Sequence, residues 1–129
     1  DTEIDGKSLR LIANEAYDKD RSIISEYHGA GSYGGAFMLR MGDYKYIYYV
    51  GPQSEVFDIK NDPDEKQILA GDPVFRSLVD GLDKALRSVI DPEKVDKAAR
   101  SDQRKMLEDV GGIDFVLNRG NYAGTPVGS

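Results

Sequence analysis

The sequence predicts an α+β fold: an antiparallel sheet of about four strands, packed on one face by a C-terminal helix, with a second, peripheral helix. Three observations predict it. Period-two alternation of aromatic and β-branched residues recurs in short runs between residues 21 and 59, as in pleated strands. Short breaks carrying Gly, Pro or Asp separate those runs, so neighbours in sequence become antiparallel neighbours in a meander. After residue 72 the apolar spacing changes to three and four, the helical period.

In chain order, residues 1–20 form a lead-in. Asp5-Gly6-Lys7-Ser8 signals a turn, and Ser8 is placed to cap a short helix carrying Leu9, Leu11 and Ile12. Arg21 to Tyr27 alternates and is the first strand. His28 to Gly35 is a loop with four glycines in eight residues, a composition that permits positive φ and close backbone approach and makes a loop mobile. Ala36 to Met41 is the second strand, with Phe37 and Leu39 on one face and Met38 and Arg40 on the other. Tyr44 to Val50 is the third, bearing large side chains on both faces, as expected of a central strand with cover on each side. Gly51-Pro52 stops it, because proline lacks the N–H a ladder needs. Glu55 to Ile59 is the fourth.

Asn61-Asp62-Pro63 reads as a turn, with Asp62 capping a short helical turn. Asp72-Pro73 opens the firmer helix, whose stripe runs Val74, Phe75, Leu78, Val79, Leu82, Ala85, Leu86, Val89 and Ile90. Asp91-Pro92 opens the peripheral helix, thinly apolar and ended by Gly111-Gly112. Ile113 to Leu117 is read as a last strand or a docking segment, and the residues beyond as a Gly-rich tail. The 129 residues are thus one expected domain, with a core over 21–90 and a peripheral helix and tail over 91–129. The opening at Asp1 without Met reads as that of a piece of a longer protein.

Composition removes several function classes. A net charge of −6 argues against a general nucleic-acid binder, which needs clustered Lys and Arg. The absence of Cys excludes disulfides, thiolate metal sites and a Cys nucleophile. No apolar run approaches the roughly 20 residues of a membrane span. Compartment stays open.

Motifs remove more. Gly29, Gly31 and Gly34 match a dinucleotide fingerprint by letter, but a strand pattern follows where that turn must open a helix. A kinase-type glycine loop fits better locally, yet the other kinase motifs are missing. The acidic run from Asp58 to Glu65 fails the calcium-loop spacing at Lys60 and Pro63. One His and no Cys make a zinc site untenable, and no G-x-S-x-G elbow supports a Ser-His-Asp triad. No catalytic, cofactor or metal residue is therefore assigned. A lone His at a strand end is more often a hydrogen-bonded surface residue than a ligand. The functional reading is that Glu26, Tyr27 and His28 sit at a mouth beside the glycine loop, positioned to contact a substrate.

Residues 21–70 resemble the C-terminal subdomain of type I sulfatases, in the alkaline phosphatase superfamily. The resemblance is carried by Arg21, by Ser25-Glu26-Tyr27, and by Phe37-Met38-Leu39-Arg40-Met41-Gly42-Asp43-Tyr44-Lys45-Tyr46-Ile47. It continues through Glu55-Val56-Phe57-Asp58-Ile59 and Asp62-Pro63-Asp64-Glu65-Lys66-Gln67-Ile68-Leu69-Ala70. Asp5-Gly6-Lys7-Ser8-Leu9 resembles the segment that precedes this subdomain. Ile68, where the family often has Asn, and Val56, where it has Leu, depart from the pattern. The resemblance implies a small domain that packs a four-stranded sheet and a helix on a large α/β catalytic domain, helping to wall the cleft for a sulfate ester. It also implies calcium or another divalent ion, and a formylglycine, on that catalytic domain. The formylglycine motif C/S-x-P-S/A-R is absent here, so this chain alone is expected to be inactive. His28, with Tyr27 and Glu26, is the expected substrate contact. Two alternatives remain: the same subdomain in a phosphonate or phosphodiester hydrolase, and a stand-alone interaction module binding a partner through its aromatic sheet face.

Overall fold

Gly42 makes the sheet's tightest turn. It takes φ 55° while Asp43 keeps a negative φ, the sign pattern of a two-residue hairpin with Gly first. That turn pairs β2 (Ala36–Met41) with β3 (Tyr44–Tyr49), Met41 facing Tyr44 and Phe37 facing Tyr48. The computed structural model describes residues 7–29 and 32–118. The Asp5-Gly6 turn, Gly31 of the glycine loop and the tail from residue 119 lie outside the described residues.

β1 (Ser22–Tyr27) and β4 (Glu55–Asp58) complete an antiparallel sheet in the order β1-β2-β3-β4. This is the expected meander. The Val50 and Ile59 amides, at the ends of the expected strands, donate to the Gly35 and Asp43 carbonyls at 3.0 Å each.

The register divides the side chains between two faces. Ile24, Phe37, Leu39, Tyr46, Tyr48 and Val56 share one, which α2 (Arg76–Val89) covers with Leu82 and Leu86. Leu69 closes this core after its amide bonds the Val56 carbonyl at 2.9 Å. Burying each such Leu is worth roughly 1.5–3 kcal/mol, enough to hold the helix on the sheet. Val74 and Val89 of the expected stripe are instead exposed, because they lie at the ends of the helix where it leaves the sheet.

The opposite face carries Ile23, Tyr27, Met38, Arg40, Ile47 and Tyr49. Phe57 is buried there beneath Lys45, whose ammonium lies 5.8 Å from the ring centroid and 2.5 Å from Glu65. On this face the lead-in residues Ile12, Ala16 and Tyr17 line a cavity of about 840 Å³ together with Ile23 and Arg40. Ile23 is 47% exposed and Tyr27 60%, and Arg40 Nη1 is buried without a hydrogen-bond partner among the described residues.

Asp72 caps a 3-10 turn (Pro73–Phe75) leading into α2, accepting from the Val74 amide at 2.9 Å. Asp91 caps α3 (Pro92–Asp109) through the Lys94 amide at 3.0 Å, and Gly111 and Gly112 end it at positive φ. Arg87 joins these helices with a two-bond ion pair to Glu93 (2.7 and 3.0 Å). Tyr48 ties the junction to the sheet, donating to Glu93 at 2.6 Å.

Three local expectations are corrected. Ile113 to Leu117 is not a strand but part of α4 (Gly112–Asn118): no sheet edge receives it, and the Gly pair turns the chain into another helix. Asp62 caps no helical turn; Glu65 takes φ 54°, which breaks the helical path, and the Asp62 carboxylate reaches on to the Gln67 amide at 2.8 Å. Ser8 stands before α1 (Leu9–Ile12), but its carbonyl, not its hydroxyl, accepts the first amides.

No helix among the described residues is long and apolar enough to cross a membrane.

Candidate functional site

β1 delivers Glu26, Tyr27 and His28 to the rim of the sheet. Strand alternation separates them: Glu26 stands opposite Phe37 on the helix-covered side, and Tyr27 points the other way. His28 turns back toward Glu26, its Nε2 lying 3.4 Å from Glu26 Oε2. Its ring meets the Phe37 ring edge-on, with centroids 5.4 Å apart and planes at 78°. The structure thus brings His28 and Glu26 together, while the Tyr27 ring lies against the loop at Gly29.

The glycines explain how the loop closes over this histidine. None of Gly29, Gly34 and Gly35 has a positive φ, so left-handed backbone is not what they supply. Close approach is. A Cβ on Gly34 would stand 2.3 Å from the Val50 carbonyl oxygen, and one on Gly35 would stand 2.9 Å from His28 Cε1.

α3 holds the loop from outside, which the sequence reading missed. Asp96, Arg100 and Gln103 fall on one helical face. The Gly35 amide donates to Asp96 Oδ1 at 2.7 Å, and Arg100 Nε donates to Asp96 Oδ2 at 2.8 Å. Arg100 Nη2 donates to the Tyr33 carbonyl, and Gln103 Nε2 to the His28 carbonyl at 2.9 Å. Asp96 is 7% exposed. Burial pushes its carboxyl upward, but the Gly35 amide, Arg100 and nearby His28 outweigh that and hold it below its ordinary value. The available signal was a D-x-x-x-R-x-x-Q stripe beside Val95 and Ala99, polar residues placed where the thin apolar edge docks.

Between loop and helix lies a cavity of about 310 Å³, lined by His28, Ser32, Gly34, Asp96, Arg100 and Gln103 among others. Its lining is about equally polar and apolar, and most of its donors are already engaged with the protein. The glycine loop leads into β2 rather than a helix, so it lacks the N-terminal amides that hold a pyrophosphate.

No family model matches the chain. Curated relatives do. The chain is 38% identical over 76 residues to arylsulfatase K of Mus musculus, covering 57% of this chain and 13% of that protein. To arylsulfatase K of Danio rerio it is 36% identical over 105 residues, covering 77% of this chain and 19% of that protein. Among solved structures, a protein from Bacteroides thetaiotaomicron assigned as a sulfatase matches with TM-score 0.59 and 27% identity, over 81% of this chain and 22% of that one. A 2-O GAG sulfatase matches with TM-score 0.59 and 26% identity, over 81% of this chain and 22% of that one.

The chain is a sulfatase-related C-terminal region. This sulfatase region spans less than a fifth of the length of the curated relatives it matches. A divalent cation and a formylglycine, implied by the resemblance, do not fit its own residues. The sulfatase region has no Cys and no Ser that opens S-x-P-S-R or S-x-P-A-R. Among its described residues no three His, Asp or Glu side chains assemble to hold a metal.

Proposed function

We propose that this chain serves a sulfuric ester hydrolase by packing on its catalytic domain and walling the cleft that receives a sulfate ester. Similarity to arylsulfatase K over 77% of the chain carries this reading. The sheet supports it physically. One face is closed by α2, while the other leaves Ile23 and Tyr27 exposed. Exposed apolar surface of this kind suits a protein neighbour that offers apolar cover. The catalytic domain is that neighbour, and the divalent ion and formylglycine belong to it.

In this arrangement His28 contacts the substrate. Glu26 and Phe37 fix its ring, and the exposed fifth of the imidazole forms part of the cleft wall. Tyr27, on the open face, lines the seam with the catalytic domain and reaches the substrate only at its edge.

An aryl sulfate assay tests the division of labour. This chain alone should show no turnover, and the sulfatase that carries it should be active. Turnover by the chain alone would overturn the proposal. In the carrying sulfatase, His28→Ala should raise KM roughly tenfold, the scale of one lost polar contact.

A further inference from the structure

We infer that Asp96, Arg100 and Gln103 of α3 are positioning residues that set where His28 stands in the cleft, and through it how tightly substrate binds. The inference rests on the substrate-contact reading of His28 given above.

The geometry is specific. One stripe, at positions i, i+4 and i+7 of a single helix, engages both ends of the loop. Gln103 holds the His28 carbonyl, Arg100 the Tyr33 carbonyl and Asp96 the Gly35 amide. Gly35 in turn lies against the imidazole, its hydrogen standing where a Cβ would come 3.0 Å from Nδ1. The histidine is therefore fixed on three sides: by Glu26 at Nε2, by Phe37 at its ring edge and by the clamped Gly35. Arg100 links two of the clamps, because it donates to Asp96 and to the Tyr33 carbonyl at once.

The other end of α3 is anchored. Glu93, in its first turn, pairs with Arg87 of α2 and accepts from Tyr48 of β3. The helix is thus braced against the sheet at one end and grips the loop further along. The apolar docking of this mostly solvated helix is confined to Val95 and Pro92, near its start and away from Arg100 and Gln103. Three polar side chains spent on backbone groups of one loop hold that loop's position. Displacing a contact residue weakens substrate binding without touching the reacting centre, so the signature is a rise in KM with kcat preserved.

The test uses the sulfatase that carries this region, with variants Asp96→Ala, Asp96→Asn, Gln103→Ala, His28→Ala and the His28→Ala/Gln103→Ala pair. Hydrogen exchange of the peptide spanning residues 28–35 should quicken in Asp96→Ala and Gln103→Ala. Their KM for an aryl sulfate should rise roughly tenfold with kcat held within about twofold. Asp96→Asn keeps an acceptor for Gly35 but sets an NH2 against the Arg100 donor, so its KM should fall between wild type and Asp96→Ala. In the double variant Gln103→Ala should add less than about twofold to His28→Ala, because both act through one contact. Gln103 is exposed, so that variant folds even if Asp96→Ala does not. If His28→Ala raises KM while Gln103→Ala leaves it unchanged, the positioning role is overturned and the substrate contact stands. A silent His28→Ala overturns the substrate contact and this inference with it. Full additivity in the double variant also overturns it, since α3 would then act by another route.

Discussion

Gly34 has no room for a side chain. A Cβ would meet the Val50 carbonyl oxygen at 2.3 Å, a backbone atom that cannot swing aside. Gly34→Ala should cost about 1–3 kcal/mol of unfolding free energy, read by urea denaturation. Asp96→Ala strands the Gly35 amide in a buried setting and should cost about 1–3 kcal/mol in the same measurement. Titration makes a sharper test. Arg87 first, and Tyr48 second, pull the Glu93 carboxyl down to about 2 from 4.5. Because the folded value is depressed, its contribution is complete above about pH 5 and drains away as pH falls toward 2. The stability gap between wild type and Glu93→Gln, followed by thermal melts, should therefore close on acidification. Asp96 has the same sign, so its share is also lost on the acid side. At this scale the sequence grouped Glu26, Tyr27 and His28 beside the glycine loop, and the structure sets His28 against Glu26 and Tyr27 against Gly29. It did not reveal Asp96, whose partner is a backbone amide 61 residues away with no signature of its own.

Among elements, the four strands could be read from the sequence to within a residue or so, because Tyr, Phe, Ile and Val alternate between strong turn signals. α2 and α3 announced themselves by Asp-Pro pairs, whose carboxylates do cap the first amides. α4 could not be read. Five residues, four of them apolar around Asp114, have neither the length nor the period to separate strand from helix. Side-chain size explains the weight α2 carries: Leu86 is fully buried against the sheet, so Leu86→Ala should cost about 2–5 kcal/mol by urea denaturation. α3 is different in kind. Its docking is polar, and a pattern reading that looks for apolar stripes takes such a helix as solvated.

For the molecule as a whole, the two sheet faces have different fates. Substitutions on the α2 side damage folding, whereas the open side should tolerate charge. Ile23→Lys, at a half-exposed position, should shift the chain's own unfolding free energy by less than about 0.5 kcal/mol. Under the proposed packing on a catalytic domain, the same change should loosen that seam, seen as faster limited proteolysis of the longer protein. A large loss of stability in the isolated chain would instead make Ile23 part of a self-contained core.

The order β1-β2-β3-β4 also has a kinetic consequence. Each strand pairs with its successor, so the sheet closes only small loops, whereas the contacts of α3 with the His28–Gly35 segment span 61 to 75 residues. Closing that long loop gains little until the sheet and α2 exist to receive it. The ribbon should zip early and the helix clasp it late. Stopped-flow refolding of Asp96→Ala should then match wild type, while its unfolding arm rises. A slowed refolding arm would put α3 in the nucleus.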